Sequence, residues 1–260
     1  MESLWDSVAA NVEQQRDQPS AAGSSSAVAV SGGADGGSPA ATSSGSPVES
    51  LPPAPLQRPD FNRDIFYKNK LEFSVESGWL PINIPFVYDF LVDSAYTANP
   101  LPYTMIPNLV GVRWQRGDIK GPVVLRGNWD FSFSGSYTDV ERGPETRYFA
   151  FDFGIRRNFV PRRWRATPYF EMRGGLGAIN AKGYKVTYGQ GQDFTFTHMI
   201  GSGVRYNFNS RWSATAGLNY MHVSNFYLSE PKIEDYGINV YGPMFGLNIR
   251  MGKEKARSVH

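Results

Sequence analysis

An alternation that recurs eight times between Asp64 and Met251 constrains this chain more than any other feature, because it sorts side chains by kind. Successive residues of a strand point to opposite faces, so a period of two reports which side chains share a side. Leu71, Phe73 and Val75 alternate with Lys70, Glu72, Ser74 and Glu76. Val110, Val112 and Trp114 alternate with Gly111, Arg113 and Gln115. Next, Trp129, Phe131 and Phe133 oppose Arg126, Asn128, Asp130 and Ser132, and Phe149, Phe151, Phe153 and Ile155 oppose Asp152 and Arg156. Phe170 and Met172 oppose Glu171 and Arg173; Val204, Tyr206 and Phe208 oppose Arg205 and Asn207. The seventh run sets Trp212, Ala214, Ala216, Leu218 and Tyr220 against Ser213, Thr215, Gly217 and Asn219. The eighth sets Tyr241, Pro243, Phe245, Leu247, Ile249 and Met251 against Arg250 and its neighbours.

One face is thus aliphatic and aromatic throughout, and the other collects large charges of both signs. A soluble barrel carries an apolar interior and a charged exterior. An eight-stranded barrel has room inside only for side chains, so acids and bases can pair there, with Gly111, Gly201, Gly203, Gly217 and Gly246 making space. The rings then face lipid. Trp79, Trp114, Trp164 and Trp212 near the strand ends suit the membrane interface. Strands near 10 residues cross a bilayer when tilted, and an even number closes the sheet without an edge. The connections read long, short, long, short, long, short, long, as in outer-membrane barrels with long outer loops and tight inner turns. The expected fold is all-β: an eight-stranded antiparallel transmembrane barrel over residues 61–260. A soluble sandwich with the rings as its core is the competing architecture.

Composition narrows the classes. No run of 18 apolar residues exists, which excludes a transmembrane helix. No cysteine is present, so there is neither a disulfide framework nor a thiolate metal site. The net charge of +2 implies no nucleic-acid partner. Residues 1–60, rich in Ala, Ser, Gly and Pro, cannot bury enough surface to offset chain entropy and are expected to be disordered. No secretory signal, with its basic start and apolar stretch, is visible there.

The seventh apolar face does not stop at Tyr220. Counting on by twos reaches His222 and Ser224, and counting back from Tyr241 gives Asn239. A histidine, a serine and an asparagine therefore fall on the lipid side, at the outer ends of two adjacent strands. A charge facing hydrocarbon costs about 2–4 kcal/mol at the midplane but about 0–1 kcal/mol near the interface. Serine and histidine two apart on one face have Cβ atoms roughly 6–7 Å apart. The imidazole can take the serine proton while the alkoxide attacks an acyl carbonyl, and Asn225 or backbone N–H groups can serve the oxyanion. His198 shares the apolar face and reads as an interfacial residue.

The run His222-Val223-Ser224-Asn225, a loop, then Gly237-Ile238-Asn239 and a final apolar strand resembles the C-terminal signature of the outer-membrane lipid A 3-O-deacylases. The resemblance spans Asp64 to Gly252. It implies an eight-stranded barrel with a lipid-facing Ser-His-Glu triad that removes an ester-linked acyl chain from lipopolysaccharide, without a cofactor. Carried over, Ser224 is nucleophile, His222 general base and Asn225 an oxyanion donor. The triad acid falls at Asn239, where the family pattern has Glu. An amide holds a histidine tautomer but does not neutralise an imidazolium. Glu230, Glu234 and Asp235 in the preceding loop are alternative acids. The implied partners are lipopolysaccharide and the surrounding outer-membrane lipids, with a homodimer left open. A non-enzymatic adhesin or anchor, and a soluble lipid-binding barrel, are the competing functions.

Overall fold

The computed structural model describes residues 60–85, 101–229, 232–233 and 237–252. Strands β1 (Leu71–Gly78), β2 (Ile82–Asn83), β3 (Thr104–Gln115), β4 (Gly127–Arg142) and β5 (Arg147–Phe159) are followed by β6 (Ala166–Ile179), β7 (Phe194–Asn207), β8 (Trp212–Ser224) and β9 (Ile238–Arg250). Eight of them are long, and each pairs antiparallel with the next long strand. Pairing of β1 with β9, Phe73 opposite Ile249, closes the barrel. The two-residue β2 continues the β1 side by pairing Ile82 with Tyr241. The closed eight-stranded barrel is the one the alternation predicts.

The sheet is turned as expected, with rings outward. Phe151 is 83% exposed, Phe245 62% and Phe133 60%. Every charged residue assigned to the polar face is buried, from Arg113 and Asp130 at 0% to Arg126 and Arg250 at 8%. Buried charges need partners, because removing one leaves the other uncompensated in low dielectric. Here Glu76 meets Arg113 at 2.6 Å and Arg173 at 2.5 Å. Glu171 meets Arg156 at 2.9 Å, Arg173 at 3.0 Å and Arg113 at 3.2 Å. Nearer the start of β1, Glu72 is held by Arg205 at 2.6 Å and Lys70 at 2.7 Å. Gly203 and Gly217 oppose each other across β7 and β8, and a Cβ on either would sit 2.8 Å from the Tyr169 hydroxyl, so the small residues admit that ring.

Three features depart from the sequence reading. The connection at 143–146 is a tight hairpin, because the polar stretch expected to be a loop continues as strand in β4 and β5. Conversely, residues 116–126 form a longer connection than the expected tight turn. The strict long-short alternation is therefore broken, although the ends remain distinct: 160–165 and 208–211 mark a turn end, 180–193 and 225–237 a loop end. Second, the interior is not ionic throughout. Toward the loop end it becomes an apolar core that includes Met105, Leu109, Met199, Met221, Val223, Ile238, Val240 and Met244. Third, a 3-10 turn, Phe61–Asp64, leads into a plug at the turn end, where Ile65, Phe66 and Val160 pack together. Asn62 secures it by donating to the Trp164 carbonyl at 2.9 Å.

Buried Glu145 ties the connections at the loop end. It accepts from the Tyr103 hydroxyl and from the Gln190 backbone N–H, both at 2.8 Å. Burial, with Glu145 alongside, pushes the Tyr103 hydroxyl well above its ordinary pKa, so it stays a donor. The segment before β3, the β4–β5 hairpin and the β6–β7 loop are thereby joined.

Candidate active site

The site forms where β8 ends and β9 begins. The β8–β9 register sets Tyr220 opposite Tyr241 and His222 opposite Asn239. The β7–β8 register sets His198 opposite His222 and Phe196 opposite Ser224. Two residues that are 17 apart in sequence thus become direct cross-strand neighbours, close enough for side-chain contact. Gly237 delivers the chain into β9. Its φ of 63° lies in the left-handed region, and a Cβ there would stand 2.8 Å from His222 Cε1. Glycine is therefore required twice at this position, by the turn and by the imidazole packed on it.

His222 Nδ1 lies 2.8 Å from Asn239 Oδ1. The Tyr220 hydroxyl donates to the same oxygen at 2.5 Å. A carbonyl oxygen only accepts, so with the amide in this orientation a neutral imidazole carries its proton on Nδ1 and presents the Nε2 lone pair. That is the tautomer a general base needs. Ser224 follows on the same outward face, as the last residue of β8. These groups are more sheltered than a bare lipid contact would make them. Tyr220 is 3% exposed, Asn239 2% and Ser224 9%, while His222 is half-buried. Shelter strengthens the hydrogen bonds, since water does not compete for them.

Asn225 comes next and is fully buried. Its Nδ2 donates to Ser229 Oγ at 2.7 Å, and that hydroxyl donates to the Ile233 carbonyl at 2.9 Å. The amide is braced one residue beyond Ser224, with a second N–H on the same nitrogen. A tight turn follows, closed by Leu228 N–H on the Asn225 carbonyl at 3.2 Å. Phe226 and Tyr227 take φ of 58° and 62° in it, a left-handed conformation unusual for aromatic residues. Their rings are exposed, and Phe226 packs edge-on against Phe196 at 5.2 Å, which packs likewise against Phe194. An aromatic patch therefore flanks Ser224.

The structure brings His222 and Asn239 into contact, with Ser224 two positions beyond His222 at the end of β8 and Asn225 next in the chain. Glu230, Glu234 and Asp235, the alternative acids, lie outside the described residues, as do residues 1–59. Tyr220 was legible only as part of the apolar face. Its hydroxyl contact depends on cross-strand register, which one strand's pattern does not carry.

Rings outward and ions paired within define a class, an outer-membrane β-barrel, here with a histidine and a serine at outward positions of β8. A family profile described as Lipid A 3-O-deacylase (PagL) matches residues 108–248. This is more than half of the chain, and the chain belongs to that family of Gram-negative outer-membrane proteins, as the sequence resemblance implied. No curated protein sequence matches the chain. Among solved structures, the outer membrane enzyme PagL is similar at 16% identity and a TM-score of 0.46, covering 67% of this chain and 97% of its own. Neisserial surface protein A is similar at 10% identity and a TM-score of 0.42, covering 70% of this chain and 97% of its own. The N-terminal β-barrel domain of Pseudomonas aeruginosa OprF is similar at 13% identity and a TM-score of 0.37, covering 70% of this chain and 98% of its own.

Proposed function

We propose that the protein is a serine esterase that removes the 3-O-linked acyl chain from lipid A at the outer leaflet. The observation that carries this reading is the His222–Asn239 contact at 2.8 Å, which leaves Nε2 basic on the face that also bears Ser224. His222 Nε2 takes the Ser224 proton as Oγ attacks the ester carbonyl. Asn225 Nδ2–H donates to the oxyanion, and collapse expels the sugar 3-hydroxyl, which receives the proton from the imidazolium. Water, activated by the same imidazole, then cleaves the acyl-enzyme and releases a 3-hydroxy fatty acid. No cofactor takes part. The acyl chain lies along Phe194, Phe196 and Phe226, so the substrate reaches Ser224 from the membrane without entering the barrel.

Asn239 stands where the family pattern has Glu. It holds the imidazole but supplies no negative charge to the imidazolium that forms during attack. Deacylation is accordingly slower than with a carboxylate at this position. The test is the lipid A mass spectrum of cells expressing the wild type or Ser224→Ala. The wild type removes one 3-hydroxyacyl chain and the variant does not. Identical spectra would favour a barrel that serves as an adhesin or structural anchor.

A further inference from the structure

We infer that Tyr220 is a positioning residue that keeps the Asn239 carbonyl oxygen turned toward His222 and so fixes the basic tautomer. The inference deepens the esterase reading and rests on it for its kinetic consequence, though not for its structural one.

The physical difficulty is specific to an amide at this position. A carboxylate presents an acceptor whichever oxygen faces the ring. A carboxamide has two ends. With oxygen toward His222, Nδ1 carries the proton and Nε2 presents the lone pair a base needs. With nitrogen toward His222, the amide donates to the Nδ1 lone pair, the imidazole proton moves to Nε2, and the base is lost. Turning the amide over exchanges the two tautomers, and its two ends are alike in size, so shape alone does not choose between them.

Tyr220 breaks that symmetry. Its hydroxyl stands 2.5 Å from Asn239 Oδ1 and is buried with the amide. A phenol is a better donor than acceptor, since its lone pair is delocalised into the ring. Two donors, Tyr220 Oη–H and His222 Nδ1–H, therefore converge on one oxygen, and the reversed amide would set an N–H donor against the phenol's weaker face. Tyr220 sits two residues before His222 on the same face of β8, so the strand that carries the base carries the group that orients its partner.

The experiment combines Tyr220→Phe with Asn239→Glu. Heat-modifiable gel mobility reports that each variant is a folded barrel. In the Asn239 background, Tyr220→Phe should lower kcat roughly three- to tenfold with KM unchanged, the range expected for one hydrogen bond. In the Asn239→Glu background, the same substitution should cost less than about twofold, because a carboxylate has no reversed form. An equal loss in both backgrounds would overturn the inference and leave Tyr220 a packing residue.

A second reading does not need turnover. The chain has 3 histidines, so nitrogen-15 NMR of the imidazoles in micelles can be assigned by blanking with His222→Gln. The wild type should show His222 protonated on Nδ1, and Tyr220→Phe should show a mixture of tautomers. An Nε2–H wild type, or no change on Tyr220→Phe, would also overturn it. If the tautomer responds while wild-type lipid A keeps its acyl chains, the positioning role stands and the esterase reading falls.

Discussion

The outer faces of β4–β5 and β8–β9 follow one rule and end differently. On β4–β5 the outward positions are Trp129, Phe131, Phe133, Tyr137, Phe149, Phe151, Phe153 and Ile155, with tilted rings in contact across the ladder: Phe133 with Phe153 at 5.1 Å and Tyr137 with Phe149 at 4.9 Å. On β8–β9 the same parity runs through Ala214, Ala216, Leu218, Phe245 and Leu247, then continues into Tyr220, His222, Ser224 and Asn239. The first surface offers lipid rings and aliphatic chains. The second keeps its alternation but exchanges hydrocarbon for hydrogen-bonding groups over a few positions at the loop end. The proposed chemistry needs only a local change of side chain on an unaltered strand. It is tolerated because the polar groups satisfy one another and are sheltered from the hydrocarbon.

Substitutions that treat the two surfaces alike should therefore give opposite readouts. The largest effect is expected from Ser224→Ala, which should reduce release of 3-hydroxy fatty acid by about 10⁴-fold or more while leaving the folded fraction unchanged. Next, Glu171→Ala in the interior strips a carboxylate from Arg113, Arg156 and Arg173 and should destabilise the barrel by about 3–5 kcal/mol in urea unfolding from lipid vesicles. Phe151→Lys on the β4–β5 face should cost about 2–4 kcal/mol in the same assay, with the catalytic rate of the folded fraction unaltered. Asn239→Glu should act in the other direction, raising the deacylation rate about tenfold, or about 1.4 kcal/mol of barrier, without stabilising the fold. A Phe151→Lys protein that folds normally but loses turnover would erase the distinction between the two surfaces.

The same contrast explains what the sequence disclosed. A one-faced strand announces itself, so the eight runs, the barrel and the inward course of Glu72, Arg113, Glu171 and Arg205 were all legible from period two. Where both faces are apolar the period vanishes. Met221 and Val223 point inward, into the core of the loop end, while Tyr220 and His222 point outward, so the end of β8 carries no clean alternation. The polar stretch before Gly143 misled for the converse reason: Tyr137 and Val140 are too sparse to reveal that β4 runs on to Arg142. The candidate residues Ser224, His222 and Asn239 were reachable by counting, but their pairing was not. That depended on a register joining strands separated by the 225–237 connection, and the Tyr220 hydroxyl bond follows from the same register.

The central claim is that Ser224 is a nucleophile activated on the lipid side of the wall. Intact mass and peptide mapping of the detergent-purified protein after treatment with an alkyl fluorophosphonate test it most directly. The account predicts one adduct, on Ser224, that is lost in His222→Ala. A protein that stays unlabelled, or that carries the adduct elsewhere and keeps it in His222→Ala, would contradict it.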